Sequence, residues 1–273
     1  MKYVFFGTPA FAATILDRLI RAGMPPCAVV TNPDRARGRK KIVSPPPVKE
    51  LVLGLGASID VLQPEAIDGA FAAQLAAYRA DCGVLAAYGA ILPPEAFAVF
   101  PKGIAVVHPS LLPRYRGATP IQAPILAGDS ETGTTLFVMD EKVDHGPLIA
   151  SRPVALRGDE TYATLAQALA EASADLIAES LPGYITGAIV PQAQDESLAT
   201  YTTKVSGADG FVDLENDSPE SISRMVRALN PEPGVWTMKD GKRMKILEAD
   251  FSDGKLVIRK FQFEGACRAR VRP

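Results

Sequence analysis

His108 and His145 are the only histidines in 273 residues, so imidazole acid–base chemistry near neutral pH falls to one of them. His108 stands where the apolar run Ile104-Ala105-Val106-Val107 gives way to Pro109-Ser110. Strand ends in open α/β sheets are where ligands bind, which favours a catalytic imidazole at this position. The alternative is a ring that merely satisfies a loop carbonyl. His145 lies between Asp144 and Gly146-Pro147 and reads as a loop residue. Asp144 shares a short acidic cluster with Asp140 and Glu141, and such clusters are usually solvated loop charges. If Asp144 met His108, the carboxylate would stabilise imidazolium and fix the ring tautomer. Spacing along the chain does not say whether they meet.

The densest run of charge is Arg35-Ala36-Arg37-Gly38-Arg39-Lys40-Lys41, five cations in seven positions, followed shortly by Pro45-Pro46-Pro47. It reads either as a solvated loop or as an arm that contacts phosphates without reading bases. Gly7-Thr8-Pro9 lacks both Gly-x-Gly-x-x-Gly and a Lys-Ser/Thr pair, so it gives no support for nucleotide phosphate binding. No His, Cys and Asp residues fall at metal-ligand spacing, which speaks against a metallohydrolase. Cys27, Cys82 and Cys267 stand far apart and read as reduced, mostly buried thiols.

These residues need a scaffold, and the composition allows one: 47% apolar and 22% charged is ordinary globular usage. No apolar run reaches the roughly 18 residues that span a bilayer, and Tyr3 to Phe6 is too short for a signal-peptide core, so a cytoplasmic protein is expected. The net charge of −2 gives no global argument for a nucleic-acid partner. Its distribution leans slightly: 13 Lys+Arg against 11 Asp+Glu after residue 200, and 16 against 20 before it.

Strand-like runs at Tyr3–Phe6, Ala28–Thr31, Ile59–Leu62, Val84–Ala87, Ile104–Val107, Thr134–Met139 and Leu148–Val154 form the βαβ rhythm of a mainly parallel sheet. Phe11–Ala22 and Thr161–Leu181 carry apolar stripes of helical period. Past about residue 185 the pattern changes. Ser218-Pro219-Glu220 opens a helix that Asn230-Pro231 stops. Strands at 234–238, 244–247 and 255–261 follow, with a hairpin turn at 239–242. The expected division is a catalytic domain over 1–190, a linker over 191–200 and a small β-rich domain, plausibly a barrel, over 201–273.

Longer stretches resemble a known family. Phe6-Gly7-Thr8-Pro9-Ala10-Phe11, Val30 to Arg35, Ala87 to Pro93, and His108-Pro109-Ser110-Leu111-Leu112-Pro113-Arg114-Tyr115-Arg116-Gly117 are similar to methionyl-tRNA formyltransferases. So are Met139 to Gly146, Arg227-Ala228-Leu229-Asn230-Pro231, Gly234-Val235-Trp236-Thr237 and Gly241 to Lys245. The resemblance implies a Rossmann-like α/β formyltransferase domain and a small carboxy-terminal OB-fold-like barrel. It implies formyl transfer from 10-formyltetrahydrofolate to the amino group of initiator methionyl-tRNA, without metal or covalent intermediate, and a monomer is expected. His108 matches the catalytic histidine and Asp144 the aspartate that orients it. Ser110, Leu111, Leu112 and Pro113 match the folate-binding stretch. Arg35, Arg37, Arg39, Lys40 and Lys41 match a tRNA-contacting loop.

Two departures stand out. The family pattern has Asn-x-His at the strand end, and this chain has Val106, whose side chain donates no hydrogen bond. Ala90 stands where the family often has Lys. Impaired catalysis is therefore one expectation. Alternatives are a formyltransferase acting on an amino sugar nucleotide or another small amine, and an inactive folate- or tRNA-binding homologue.

Overall fold

The computed structural model describes residues 1–37, 42–56, 58–265 and 269–270, with the backbone alone at 37, 269 and 270. Elements in the first part of the chain are β1 (Tyr3–Gly7), α1 (Ala10–Arg21), β2 (Ala28–Val30), β3 (Arg35–Arg37), β4 (Ile42–Ser44) and α2 (Pro47–Leu55). There follow β5 (Asp60–Leu62), α3 (Gly69–Ala76), β6 (Cys82–Ala86), α4 (Pro94–Phe97) and β7 (Ile104–His108). Next come β8 (Arg116–Gly117), α5 (Gln122–Ala127), β9 (Glu131–Val138), β10 (Leu148–Ala155) and α6 (Tyr162–Thr186). The last part holds β11 (Tyr201–Thr202), α7 (Pro219–Leu229), β12 (Val235–Lys239), β13 (Lys242–Ser252), β14 (Lys255–Phe263) and β15 (Ala269–Arg270).

The chain forms two compact units. One comprises residues 1–114, 133–154 and 167–199; the other comprises 115–132, 155–166 and 200–273. This partition interleaves where the sequence suggested the linear division 1–190, 191–200 and 201–273. The physical reason lies in α5: its Ile125, with Ile121 just before it, is buried within the second unit, where α5 lies against α7.

The first unit is built on a seven-stranded sheet of order β10-β9-β7-β6-β1-β2-β5. β7, β6, β1, β2 and β5 are parallel, and β9 runs antiparallel to β7. Because side chains alternate across a strand, the fully buried β1 and β7 feed both faces. Tyr3, Phe5, Ala105 and Val107 join one apolar layer with α1 and α6 residues. Val4, Phe6, Ile104 and Val106 join the other, with Tyr88, Leu112 and Phe137. α6 continues through Pro182 to Thr186, past the expected end at Leu181. Burial of Leu181 and Tyr184, each worth about 1.5–3 kcal/mol or a similar amount, offsets the roughly 3 kcal/mol cost of proline inside a helix. Cys27 and Cys82 are free thiols, and burial pushes Cys82 up to about 12; Cys267 lies outside the described residues.

In the second unit, α7 is capped as the sequence predicts: the Ser218 hydroxyl accepts from the Ser221 amide at 3.1 Å. β12, β13, β14 and β15 form an antiparallel sheet in that order. The β12–β13 turn is Asp240-Gly241 with φ of 50° and 71°, the two left-handed residues a tight two-residue hairpin uses. Val235, Thr237, Met244 and Ile246 are buried, while Trp236 carries the Arg243 guanidinium 4.1 Å from its ring centroid. Among the described residues no helix is long and apolar enough to cross a membrane.

Candidate active site

β7 positions His108 at its carboxyl end. The residue is 6% exposed, and its register partner across the antiparallel pairing is Thr135 of β9. Its carbonyl lies 3.3 Å from the Thr134 hydroxyl, itself 2.7 Å from the Ser173 hydroxyl of α6. The backbone under the imidazole is therefore tied to two neighbouring elements. Ile104, Val106 and His108 alternate onto one side of the sheet, so the ring follows an apolar column down the strand.

Asp144 arrives by a longer route. The segment between β9 and β10 leaves beside Ile104, whose carbonyl accepts from the Met139 amide at 2.8 Å. That is the far end of β7 from His108, about 13 Å away at the usual rise per strand residue. The segment folds back and brings Asp144 Oδ2 to 3.5 Å from His108 Nδ1, with both side chains largely buried. Asp144 has φ of 50°, a left-handed conformation uncommon outside glycine. Two residues on, a side chain at Gly146 would place its Cβ 1.7 Å from the Val138 carbonyl oxygen, so only glycine fits. His145 does not join His108: its Nδ1 lies 2.6 Å from Asp140 Oδ2 and its Nε2 3.5 Å from Glu196 Oε1. The structure thus pairs two of the acid–base candidates and gives His145 to a separate carboxylate cluster. With Nδ1 facing Asp144, Nε2 lies on the other side of the His108 ring.

A family model for formyl transferase matches residues 1–181, and one for the formyl transferase C-terminal domain matches 204–258. Methionyl-tRNA formyltransferase from Roseiflexus sp. (strain RS-1) is 44% identical over 251 residues, 91% of this chain and 76% of that protein. The chain belongs to the methionyl-tRNA formyltransferase family. The Chromobacterium violaceum methionyl-tRNA formyltransferase is likewise 44% identical, over 93% of this chain and 82% of that protein. HypX from Aquifex aeolicus, solved in complex with tetrahydrofolic acid, shares the fold with a TM-score of 0.69 at 16% identity, over 99% of this chain and 46% of HypX.

Among the other residues that the methionyl-tRNA formyltransferase pattern singles out, Ser110 to Pro113 follow directly on His108. Ser110 is fully buried, and its hydroxyl donates to the Arg114 carbonyl at 2.6 Å. Thr135 stitches this stretch to β9: its hydroxyl donates to the Ser110 carbonyl at 2.7 Å and accepts from the Leu112 amide at 3.1 Å. Leu112 is buried in the same apolar layer as Val106, and Leu111 and Pro113 are partly exposed. Val106 itself is 6% exposed, flanked by Leu85 and Phe137 in register, so the position is filled by hydrocarbon.

The basic run is placed differently. Arg35 and Arg37 belong to β3, which pairs antiparallel with β4; Arg39, Lys40 and Lys41 lie outside the described residues. The root of this hairpin is a polar knot. Lys49 Nζ reaches both Asp34 oxygens at 3.0 and 2.8 Å, and Gln63 Nε2 donates to Asp34 Oδ1 at 2.8 Å. Gln63 and Lys49 together hold the Asp34 carboxyl below the usual carboxylate range.

The sequence offers no signal for two residues that shape the site, Thr135 and Gln194, and Gly146 enters only as the end of a stretch that resembles the family. Gln194 sits in the expected linker and donates from Nε2 to the Asp144 and Gly146 carbonyls at 2.9 and 2.8 Å.

Proposed function

We propose that this protein transfers the formyl group of 10-formyltetrahydrofolate to the amino group of initiator methionyl-tRNA, acting as a cytoplasmic monomer. The reacting residues and the folate stretch fall within 1–190, tRNA binding draws on 201–273, and 191–200 connects them along the chain. The observation that carries the reading is the His108–Asp144 pair, 3.5 Å apart at the end of β7. The amine nitrogen attacks the formyl carbon, and the carbonyl oxygen takes up negative charge. Collapse of this adduct breaks the bond to N10 of the folate, leaving formylmethionyl-tRNA and tetrahydrofolate. One proton leaves the attacking nitrogen and one is delivered to N10. His108 Nε2 accepts and returns that proton, while Asp144 keeps the ring oriented and stabilises its charged form. Folate is held along Ser110, Leu111, Leu112 and Pro113, and Arg35, Arg37, Arg39, Lys40 and Lys41 contact tRNA phosphates.

Val106 sets the rate. A missing oxyanion donor costs about 2.7–4 kcal/mol, a hundredfold to a thousandfold in kcat. Stabilisation of the oxyanion then rests on His108. The test is formylation of methionyl-tRNA by the parent and by Val106→Asn, with folate donor present and absent. Donor-dependent transfer that rises by about two orders of magnitude in the variant is expected. No transfer by either protein overturns the assignment.

A further inference from the structure

Asp144 has to be held where it is: the segment carrying it returns about 13 Å along β7 before it meets His108. The 3.5 Å gap is already at the long limit of a hydrogen bond, so a small rotation of the Asp144 backbone would part the pair. We propose that Gln194 is a positioning residue for the His108–Asp144 pair, acting by clamping the two peptide carbonyls on either side of His145. This rests on the reading of that pair as the acid–base centre.

A carboxamide nitrogen carries two protons, and here each finds an acceptor: the Asp144 carbonyl at 2.9 Å and the Gly146 carbonyl at 2.8 Å. Both acceptors are carbonyl oxygens, so it must be the nitrogen of Gln194 that faces them. The clamp spans the left-handed residue Asp144 and the side-chain-intolerant Gly146, fixing both peptide planes at the tip. Gln194 is itself anchored. Gln192 exchanges two backbone hydrogen bonds with Leu148, at 2.7 and 2.9 Å, which lays the segment beside the start of β10. Asp195 then caps the following turn, accepting from the Ser197 amide at 3.0 Å. A second tie comes from the same segment, through Glu196 to His145 at 3.5 Å. The charged groups that the two segments themselves carry are Asp140, Glu141, Lys142, Asp144 and His145 on the returning one and Asp195 and Glu196 on the crossing one, with His108 facing Asp144 from β7. Gln194 adds no charge to this set; its contribution is directional.

The experiment exploits the presence of two histidines alone, whose ring signals can be separated by NMR in the free full-length protein. The His108 titration is followed in the parent, Asp144→Asn, Gln194→Met and the double variant, with Gln194→Ala as a second probe. Asp144→Asn is expected to lower the His108 midpoint, since it removes the facing carboxylate. Gln194→Met is expected to lower it in the same direction, and to add nothing once Asp144 is replaced. In the formylation assay the same variants should lower kcat by about tenfold to a hundredfold and leave KM for the folate donor nearly unchanged. An unmoved His108 titration in both Gln194 variants overturns the proposal. So does an equal shift in the Asp144→Asn background. The titration needs no substrate, so absence of formyl transfer in the parent would count against the proposed reaction while leaving the clamp to be judged on its own.

Discussion

Two excursions from the main sheet carry charge, and they are built in opposite ways. The segment between β9 and β10 brings a single carboxylate to a largely buried imidazole, and nearly every turn of it is tied: Asp140 to His145, Gln194 to two carbonyls, Gly146 against Val138. The β3–β4 hairpin carries Arg35 into solvent, with Ile42 and Val43 63% and 67% exposed, and its polar fastening sits at the root on Asp34, Lys49 and Gln63. A proton-transfer partner must be placed to within a fraction of an ångström. A phosphate contact acts through a softer, screened field, for which reach matters more than exact position. Under the proposed function the difference would separate two duties, one excursion built for geometry and the other for encounter.

Substitutions should divide along the same line. His108→Ala removes the group that the first excursion exists to orient, and a loss of about 10²–10⁴-fold in kcat is expected, with tRNA affinity retained. Loss of affinity without loss of kcat would reverse the assignment of duties. Gly146→Ala tests whether placement alone matters, because no charge changes. Its Cβ would meet the Val138 oxygen at 1.7 Å, and displacement of the segment should cost about 1–3 kcal/mol of stability and up to about a hundredfold in kcat. Thermal melts and single-turnover rates read the two effects separately. The smallest effects belong to the second excursion. Arg35→Ala and Arg37→Ala should weaken tRNA binding, each flattening the plot of log affinity against log salt by about 0.7–0.9, with single-turnover rates at saturating tRNA unchanged. Identical salt slopes for parent and variants would remove the hairpin from the binding surface.

What could be read from residues alone follows from the range of the forces involved. Local rules placed the β7 run, the Ser218 cap and the Asp240-Gly241 turn, because each depends on neighbours within a few positions. The pairing of His108 with Asp144 was invisible to spacing, and only the family resemblance suggested it. The returning path of the segment depends on β9 running antiparallel to β7, which an apolar run cannot reveal. Pro182 runs in the other direction: proline's local effect ends helices, yet the buried Leu181 and Tyr184 carry α6 past it. Gln194 had no local signature at all, since a glutamine in a polar stretch is ordinary until its two acceptors are seen. The interleaving of the compact units escaped for the same reason. Nothing in residues 115–132 marks them as partners of a helix a hundred positions later.

Arg116 shows what that interleaving means for anyone who would divide the chain. It is fully buried within the second unit, with a guanidinium nitrogen 3.1 Å from the Tyr201 hydroxyl and its β8 strand hydrogen-bonded in register with β11. A scissor cut near residue 200 would keep the cation while discarding the Tyr201 ring and the β11 strand that pairs with β8. Fragment studies would therefore report on damage at Arg116 as much as on the missing piece, and whole-length protein is the proper object for dissection by substitution.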